Sequence, residues 1–280
     1  MNNLFVTGIW NADAKYSYRG YINMLPRVLN ALHNVINNHN STAKIIIYID
    51  PEGEQRVRNN ILWARNNMKW EPCLQVQFVH KEFEDLPLVP SVTSPCALKL
   101  GWKLPPEKMN RLNRIWCNKT WLMQSAHNLH GVGNCKNVIW VDGGLKLFHK
   151  NFPREYYSKL ENIQPGVLYS NRYGGDTIGG PRKISPSLPV HRGGLPEGIK
   201  LVPTRAQRNP YNIRHRNCGY PHFIRAGVLA CNAQYLDEFH DMFIQTLDQV
   251  SNECGSFDEE TVLSAMFINN PETFSRWGRL

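Results

Sequence analysis

No window of this chain approaches the ~20 consecutive apolar residues needed to cross a bilayer. Its opening, MNNLFVTGIW, has no basic segment leading into a long apolar core. The sequence therefore predicts neither a membrane span nor a signal peptide, and a cytoplasmic protein is expected. The phosphate-binding fingerprints GxxxxGK[ST] and GxGxxG are also missing, which disfavours a P-loop enzyme and a dinucleotide-binding domain. Seven cysteines (Cys73, Cys96, Cys117, Cys135, Cys218, Cys231 and Cys254) are scattered with no CxxC pair. That spacing offers no zinc signature, and an odd number argues against a secreted disulfide framework. They read as small apolar fillers in a reducing compartment. The histidines, His191, His215 and His222 among them, lack the HxxxH spacing of a helical zinc site. Repeats and low-complexity tracts are absent.

What is present is a globular composition. Hydrophobic residues make up 42% and charged residues 20% of 280 residues, enough to bury a sizeable core. The net charge of +9 favours anionic partners: nucleic acid, nucleotide diphosphates or acidic glycans. Charge alone does not choose among them. The sequons at Asn40 and Asn118 read as chance matches.

Hydrophobic patterning gives the organisation. Leu4 to Ile9 reads as a short buried strand, followed by a polar loop. Ile22, Leu25, Val28, Leu29, Leu32 and Val35 recur at helical steps. Lys44 to Ile49 is a second buried strand, closed by Asp50-Pro51; residues 52–68 read as a helix and Leu74 to Val79 as a third strand. Alternating strands and helices imply parallel strands with right-handed crossovers. Residues 83–106 read as a long loop and Arg111 to Leu129 as one helix. Asn137 to Val141 reads as a further strand buried on both faces, ending in Asp142-Gly143-Gly144. From Tyr173 to Gly219 Gly, Pro, Arg and His dominate, as in a disordered segment or a loop region laid over a site. Phe223 to Cys231 is strand-like, and Ala233 to Val250 and Glu259 to Asn269 are helical.

Thr7, Asp50 and Asp142 come at the ends of three of these strands. Ligands of parallel α/β sheets bind at the carboxyl ends of the strands, so the three residues converge if their strands are neighbours. Asp50 suits the imide N–H of a uracil, with Trp10 as a stacking surface; equally, Asp50-Pro51 opens a turn. A carboxylate at Asp142, beside two glycines that admit close backbone approach, suits a divalent ion bridging a diphosphate or a sugar hydroxyl. The other reading is a hairpin turn of Asp-Gly type. Asp258, Glu259 and Glu260 precede an apolar helix whose N-terminus stabilises carboxylates. They read either as a general base, Glu259 first and Asp258 second, or as helix-end charge.

Trp140-Val141-Asp142-Gly143-Gly144 resembles the acidic strand-end motif of glycosyltransferases of the GT-A fold. Val6-Thr7-Gly8 with a downstream Arg19, Ile115-Trp116-Cys117-Asn118-Lys119, and Phe257-Asp258-Glu259-Glu260-Thr261-Val262-Leu263 follow the order seen in the HtrL/YibB-like group of transferases. The chain is also similar in size and style to the transferases that large algal viruses (chloroviruses) encode for their capsid glycans, among them a xylosyltransferase. The resemblance implies a single domain over residues 1–280, with a nucleotide-binding half (1–150) and an acceptor half (151–280). It further implies a mostly parallel, mixed sheet flanked by helices, a UDP-sugar donor (UDP-xylose first), and a glycan or glycoprotein acceptor, in the host cytoplasm if the source is viral. Donor-site residues carried over are Thr7, Gly8, Trp10, Arg19, Asp50, Lys119, Asp142, Gly143, Gly144 and Arg225. The usual metal motif is Asp-x-Asp, and here Gly144 stands at the second acid. With Asp142 as the single carboxylate, Mn²⁺ or Mg²⁺ would bind weakly or recruit another ligand, or Lys119, Arg172, Arg182 and Arg225 would neutralise the diphosphate instead.

Two other classes compete. The run from Arg205 to Arg216, with Tyr211 as a stacking residue, suits a nucleic-acid-binding protein. A noncatalytic glycan-binding module is the third possibility.

Overall fold

The computed structural model describes residues 3–11, 18–51, 53–55, 57–59, 73–93, 96–99, 102–143, 167–171, 224–255, 257–270 and 273–279. Its frame is a sheet with helices on both faces. The strands are β1 (Asn3–Ile9), β2 (Ala43–Ile49), β3 (Leu74–His80), β6 (Asn137–Val141), β7 (Val167–Asn171), β8 (Ile224–Asn232) and β9 (Phe274–Arg279). They lie in the order β3-β2-β1-β6-β8-β7-β9. The first four are mutually parallel, β8 runs antiparallel to both β6 and β7, and β9 pairs parallel with β7. The sheet therefore joins strands from residues 3–141 with strands from residues 167–279.

Alternation along the strands explains the layers. Leu4, Val6, Ile46, Tyr48, Val138, Trp140, Leu229 and Cys231 face one apolar cluster, whereas Phe5, Ile9, Ile45, Ile47, Ile139, Val141, Val228 and Ala230 face another. Both faces of the central strands are thus dry, which is why β1, β2 and β6 read as unbroken apolar runs. The second cluster is closed by α1 (Tyr18–Asn38) through Leu25, Val28, Leu29, Leu32, Val35 and Ile36. The first is closed by α2 (Pro106–Trp116), α3 (Lys119–His130), α4 (Leu236–Glu253) and α5 (Glu259–Asn269). Cys73, Cys117, Cys135, Cys231 and Cys254 are buried, as expected of filler thiols.

Three expectations change. The single helix over 111–129 is two, α2 and α3, because Asn118 interrupts it. The Asn118 side-chain amide donates to the carbonyls of Arg114 (2.6 Å) and Leu88 (2.8 Å), and its oxygen accepts the Leu88 N–H (3.0 Å). One side chain ends α2 and fastens the preceding segment to it. The loop over 83–106 contains a 3-10 turn, Phe83–Asp85, and a small antiparallel pair, β4 (Cys96–Lys99) with β5 (Trp102–Leu104). Short polar-laced strands of this kind carry no clear periodicity. Strands β7 and β9 were not expected from the pattern. The helix expected over 52–68 is seen at 53–55 and 57–59. Residues 173–219, with the Arg205 to Arg216 run, lie outside the described residues. No helix among the described residues is long and apolar enough to cross a membrane.

Candidate functional site

The connection leaving β1 runs through α1 toward β2, while β6 lies on the other side of β1. The order 3-2-1-6 makes the boundary between β1 and β6 the point where the winding reverses, and crevices open at the carboxyl ends of strands there. Asp142 follows β6 at that boundary, its N–H donating to the Gly227 carbonyl of β8 (2.8 Å). A side chain built on Gly143 would meet Thr7 Oγ1 at 3.4 Å, so the tips of β1 and β6 touch. The Thr7 hydroxyl is buried and has no hydrogen-bond partner among the described residues.

The tip of β2 is tied into the same crevice. Asp50 accepts the Asn11 N–H (3.2 Å) with one carboxylate oxygen and the Gly53 N–H (3.0 Å) with the other. It thereby caps the turn after β2 and fixes the exit of β1, which is the turn-opening role of Asp-Pro. Trp10 does not present the stacking surface expected of it. It is 4% exposed, donates its indole N–H to the Lys81 carbonyl (2.8 Å), and lies against Gly8. A Cβ on Gly8 would come within 2.2 Å of that ring, so the glycine is required by the indole.

The chemistry gathers on the other face of β6, where Trp140 and Asp142 point. Lys119 is the first residue of α3 and only 3% exposed. Its Nζ donates to the Ala226 carbonyl (2.9 Å), Glu259 Oε1 (3.0 Å) and Asp142 Oδ1 (3.0 Å). An ammonium has three N–H donors, and three oxygens receive them. Trp140 donates its indole N–H to the same Asp142 oxygen (2.7 Å). Asp142 Oδ2 has no partner among the described residues, and with 31% of its side chain exposed this carboxylate is where the cluster reaches solvent. Burial works against the Lys119 charge, but Asp142 and Glu259 outweigh it and hold the lysine well above its usual range. For Glu259 burial dominates: it raises the carboxyl to about 8 although Lys119 pulls the other way, with Asp258, Glu260 and Asp142 adding to the rise.

The structure thus joins three residues singled out in the sequence, Asp142, Lys119 and Glu259, in one cluster. Lys119 is not a free phosphate ligand, as its donors are all engaged by the protein. Asp258 is the N-cap of α5. Its carboxylate accepts the Thr261 N–H (3.0 Å) and hydroxyl (3.0 Å), and its own N–H donates to Thr261 Oγ1 (3.4 Å), which completes a capping box. The small residues of Arg225-Ala226-Gly227 pointed to β8 as a segment against which a sugar could lie, but not to its Ala226 and Gly227 carbonyls, which hold Lys119 and the Asp142 backbone. Arg19 is the second residue of α1 and Arg225 the second of β8 on the backbone, but their side chains lie outside the described ones, as do Gly144, Arg172 and Arg182.

A divalent ion fits poorly here. Among the described residues no group of three His, Cys, Asp or Glu could hold one. Asp142 Oδ1, the oxygen a metal would share, already receives an ammonium and an indole N–H.

No protein-family model and no curated protein matches the chain. Among solved structures, it is similar to the apo structure of WbbM, a bifunctional glycosyltransferase, at a TM-score of 0.45 and 10% identity, over 98% of this chain and 38% of that one. The chain therefore spans well under half the length of that protein. It is also similar to a 4-diphosphocytidyl-2C-methyl-D-erythritol synthase from Anaerococcus prevotii, at a TM-score of 0.42 and 11% identity, over 100% of this chain and 89% of that one. Scores at this level establish no kinship.

Proposed function

We propose that the chain transfers a sugar from a nucleoside-diphosphate sugar to a hydroxyl of a glycan or glycoprotein acceptor. The observation that carries this reading is Asp142: a partly exposed carboxylate at the switch point between β1 and β6, braced from behind by a buried lysine and a second acid. Such a crevice suits a nucleotide, and a fixed carboxylate there meets the sugar it carries. Arg19 and Arg225, near the same strand ends, are the candidates for the diphosphate.

The reaction is read as inverting. The acceptor hydroxyl oxygen attacks the anomeric carbon, the carbon–oxygen bond to the diphosphate breaks, and the nucleoside diphosphate leaves with the electron pair. The acceptor proton goes to a carboxylate. Glu259 is the candidate base: its Oε1 is held by Lys119, which leaves Oε2 for the proton, and burial raises its carboxyl toward neutral pH, where the carboxylate fraction can take a proton and release it again. UDP-sugars are the donors to test, UDP-xylose first because of the resemblance to the algal-virus transferases.

The test is a thermal-shift panel of nucleotide-sugars followed by a transfer assay. UDP and at least one UDP-sugar are expected to raise the melting midpoint. Asp142→Asn is expected to fold as the wild type, with transfer reduced by roughly 100-fold or more. Glu259→Gln is expected to keep donor binding and lose roughly 10²–10⁴-fold in kcat. An Asp142→Asn protein with full transfer activity would remove the carboxylate from the reaction, and the reading with it.

A further inference from the structure

Lys119 sits at the first residue of a helix, where the dipole disfavours a cation, and at 3% exposure, where desolvation disfavours any charge. A lysine in that place needs compensation, and the structure supplies it as a cage: Asp142 Oδ1 at 3.0 Å, Glu259 Oε1 at 3.0 Å and the Ala226 carbonyl at 2.9 Å. Two carboxylate oxygens and a carbonyl are the donor set that hard divalent cations take. Here an ammonium fills it, with the Trp140 ring 5.6 Å to one side. A metal ion on Asp142 Oδ1 would need to approach within about 2.0–2.6 Å of an oxygen that already accepts from Lys119 and Trp140. It would also stand beside a buried positive charge.

We propose that Lys119 is the resident cation of this site, so that Asp142 takes no divalent ion and meets its ligand directly, through Oδ2, as a hydrogen-bond acceptor for a hydroxyl or N–H of the donor. The inference concerns how the site of the proposed transferase is charged, and rests on that reading only for the identity of the ligand. Lys119 is a positioning residue here: it neutralises and orients Asp142 without touching the sugar. Removing its side chain should turn the cage into a metal site, because the three oxygens would then surround an empty space of cation size.

The experiment uses the full chain and Mn²⁺ alone as probe, followed by electron paramagnetic resonance of the free ion. Wild type is expected to bind no Mn²⁺ at Asp142 even at millimolar concentration. Lys119→Ala is expected to gain a site at least about tenfold tighter than any in the wild type, and Lys119→Ala with Asp142→Asn to lose it again. Mn²⁺ binding by wild type that Asp142→Asn abolishes overturns the proposal, as does a folded Lys119→Ala that gains no site. Should Lys119→Ala fail to fold by circular dichroism, the wild-type and Asp142→Asn titrations still decide. A parallel thermal shift with UDP separates this inference from the reading beneath it. Equal shifts in EDTA and in Mn²⁺ support it, and a shift in Mn²⁺ alone overturns it. No shift in either condition sinks the nucleotide reading while the Mn²⁺ titration continues to judge this one.

Discussion

A carboxyl at the first turn of a helix is ordinarily favoured as its anion, yet Glu259 is 6% exposed and shares its surroundings with Asp258, Glu260 and Asp142 as well as Lys119. Burial, the largest influence, lifts it to about 8. The folded protein then holds this proton more tightly than the unfolded chain, and the contribution to stability is lost as pH rises from about 5 to about 8. His127 and His240, depressed by burial, act in the opposite sense, so the comparison must be with a variant. The melting midpoint of wild type relative to Glu259→Gln is expected to fall steadily across that window. A gap that stays constant with pH would mean Glu259 titrates elsewhere. Asp142 was legible because an acid closing an apolar strand before two glycines has few ordinary reasons to be there. The Lys119–Glu259 contact was not, since it joins positions 140 residues apart and no local pattern encodes it.

Among the elements, α5 was legible to the residue because its start is written in side chains. Asp258 and Thr261 reciprocate as a capping box, and the Asn113 side-chain amide donates to the Phe257 carbonyl just before it (2.9 Å). Asp258→Ala is expected to cost about 1 kcal/mol in urea unfolding. Because Glu259 starts the same helix, transfer should slow as well while donor binding is kept; a variant as stable as wild type would leave the cap without a role. The split between α2 and α3 was illegible: the apolar period runs through it, and only the contacts of Asn118 with distant backbone break it. Strands β7 and β9 escaped for a different reason. Val167–Asn171 is short, and Phe274–Arg279 carries two arginines and a glycine, as outer strands that must resist further pairing often do. Gly8→Ala drives a methyl group into the Trp10 ring and is expected to cost about 1–3 kcal/mol, read from the same unfolding curves.

At the scale of the whole molecule, alternating apolar strands and helices announced parallel strands, and the pairing of β1, β2, β3 and β6 bears this out. The reversal at β1 and β6 was not announced, because strand order follows from packing of helices on opposite faces and not from any residue along the chain. Amide exchange should map that reversal. The backbone of β1, β2 and β6 is expected to exchange slowest. Saturating UDP is expected to add protection at the amides of Asn11, Gly53 and Asp142 while leaving the outer strand β3 unchanged. Protection confined to β3 would move the ligand to the wrong edge.

The five filler thiols among the described residues lend themselves to a separate use. Each is shut away from solvent, and Cys117 is made still less reactive by burial and by the nearby charges of Glu259 and Asp258. An alkylating reagent can therefore label them only during excursions that open the interior. Counting modified cysteines against time, with mass spectrometry to name them, would clock those excursions layer by layer, Cys73 reporting from one side of the sheet and Cys117, Cys135, Cys231 and Cys254 from the other.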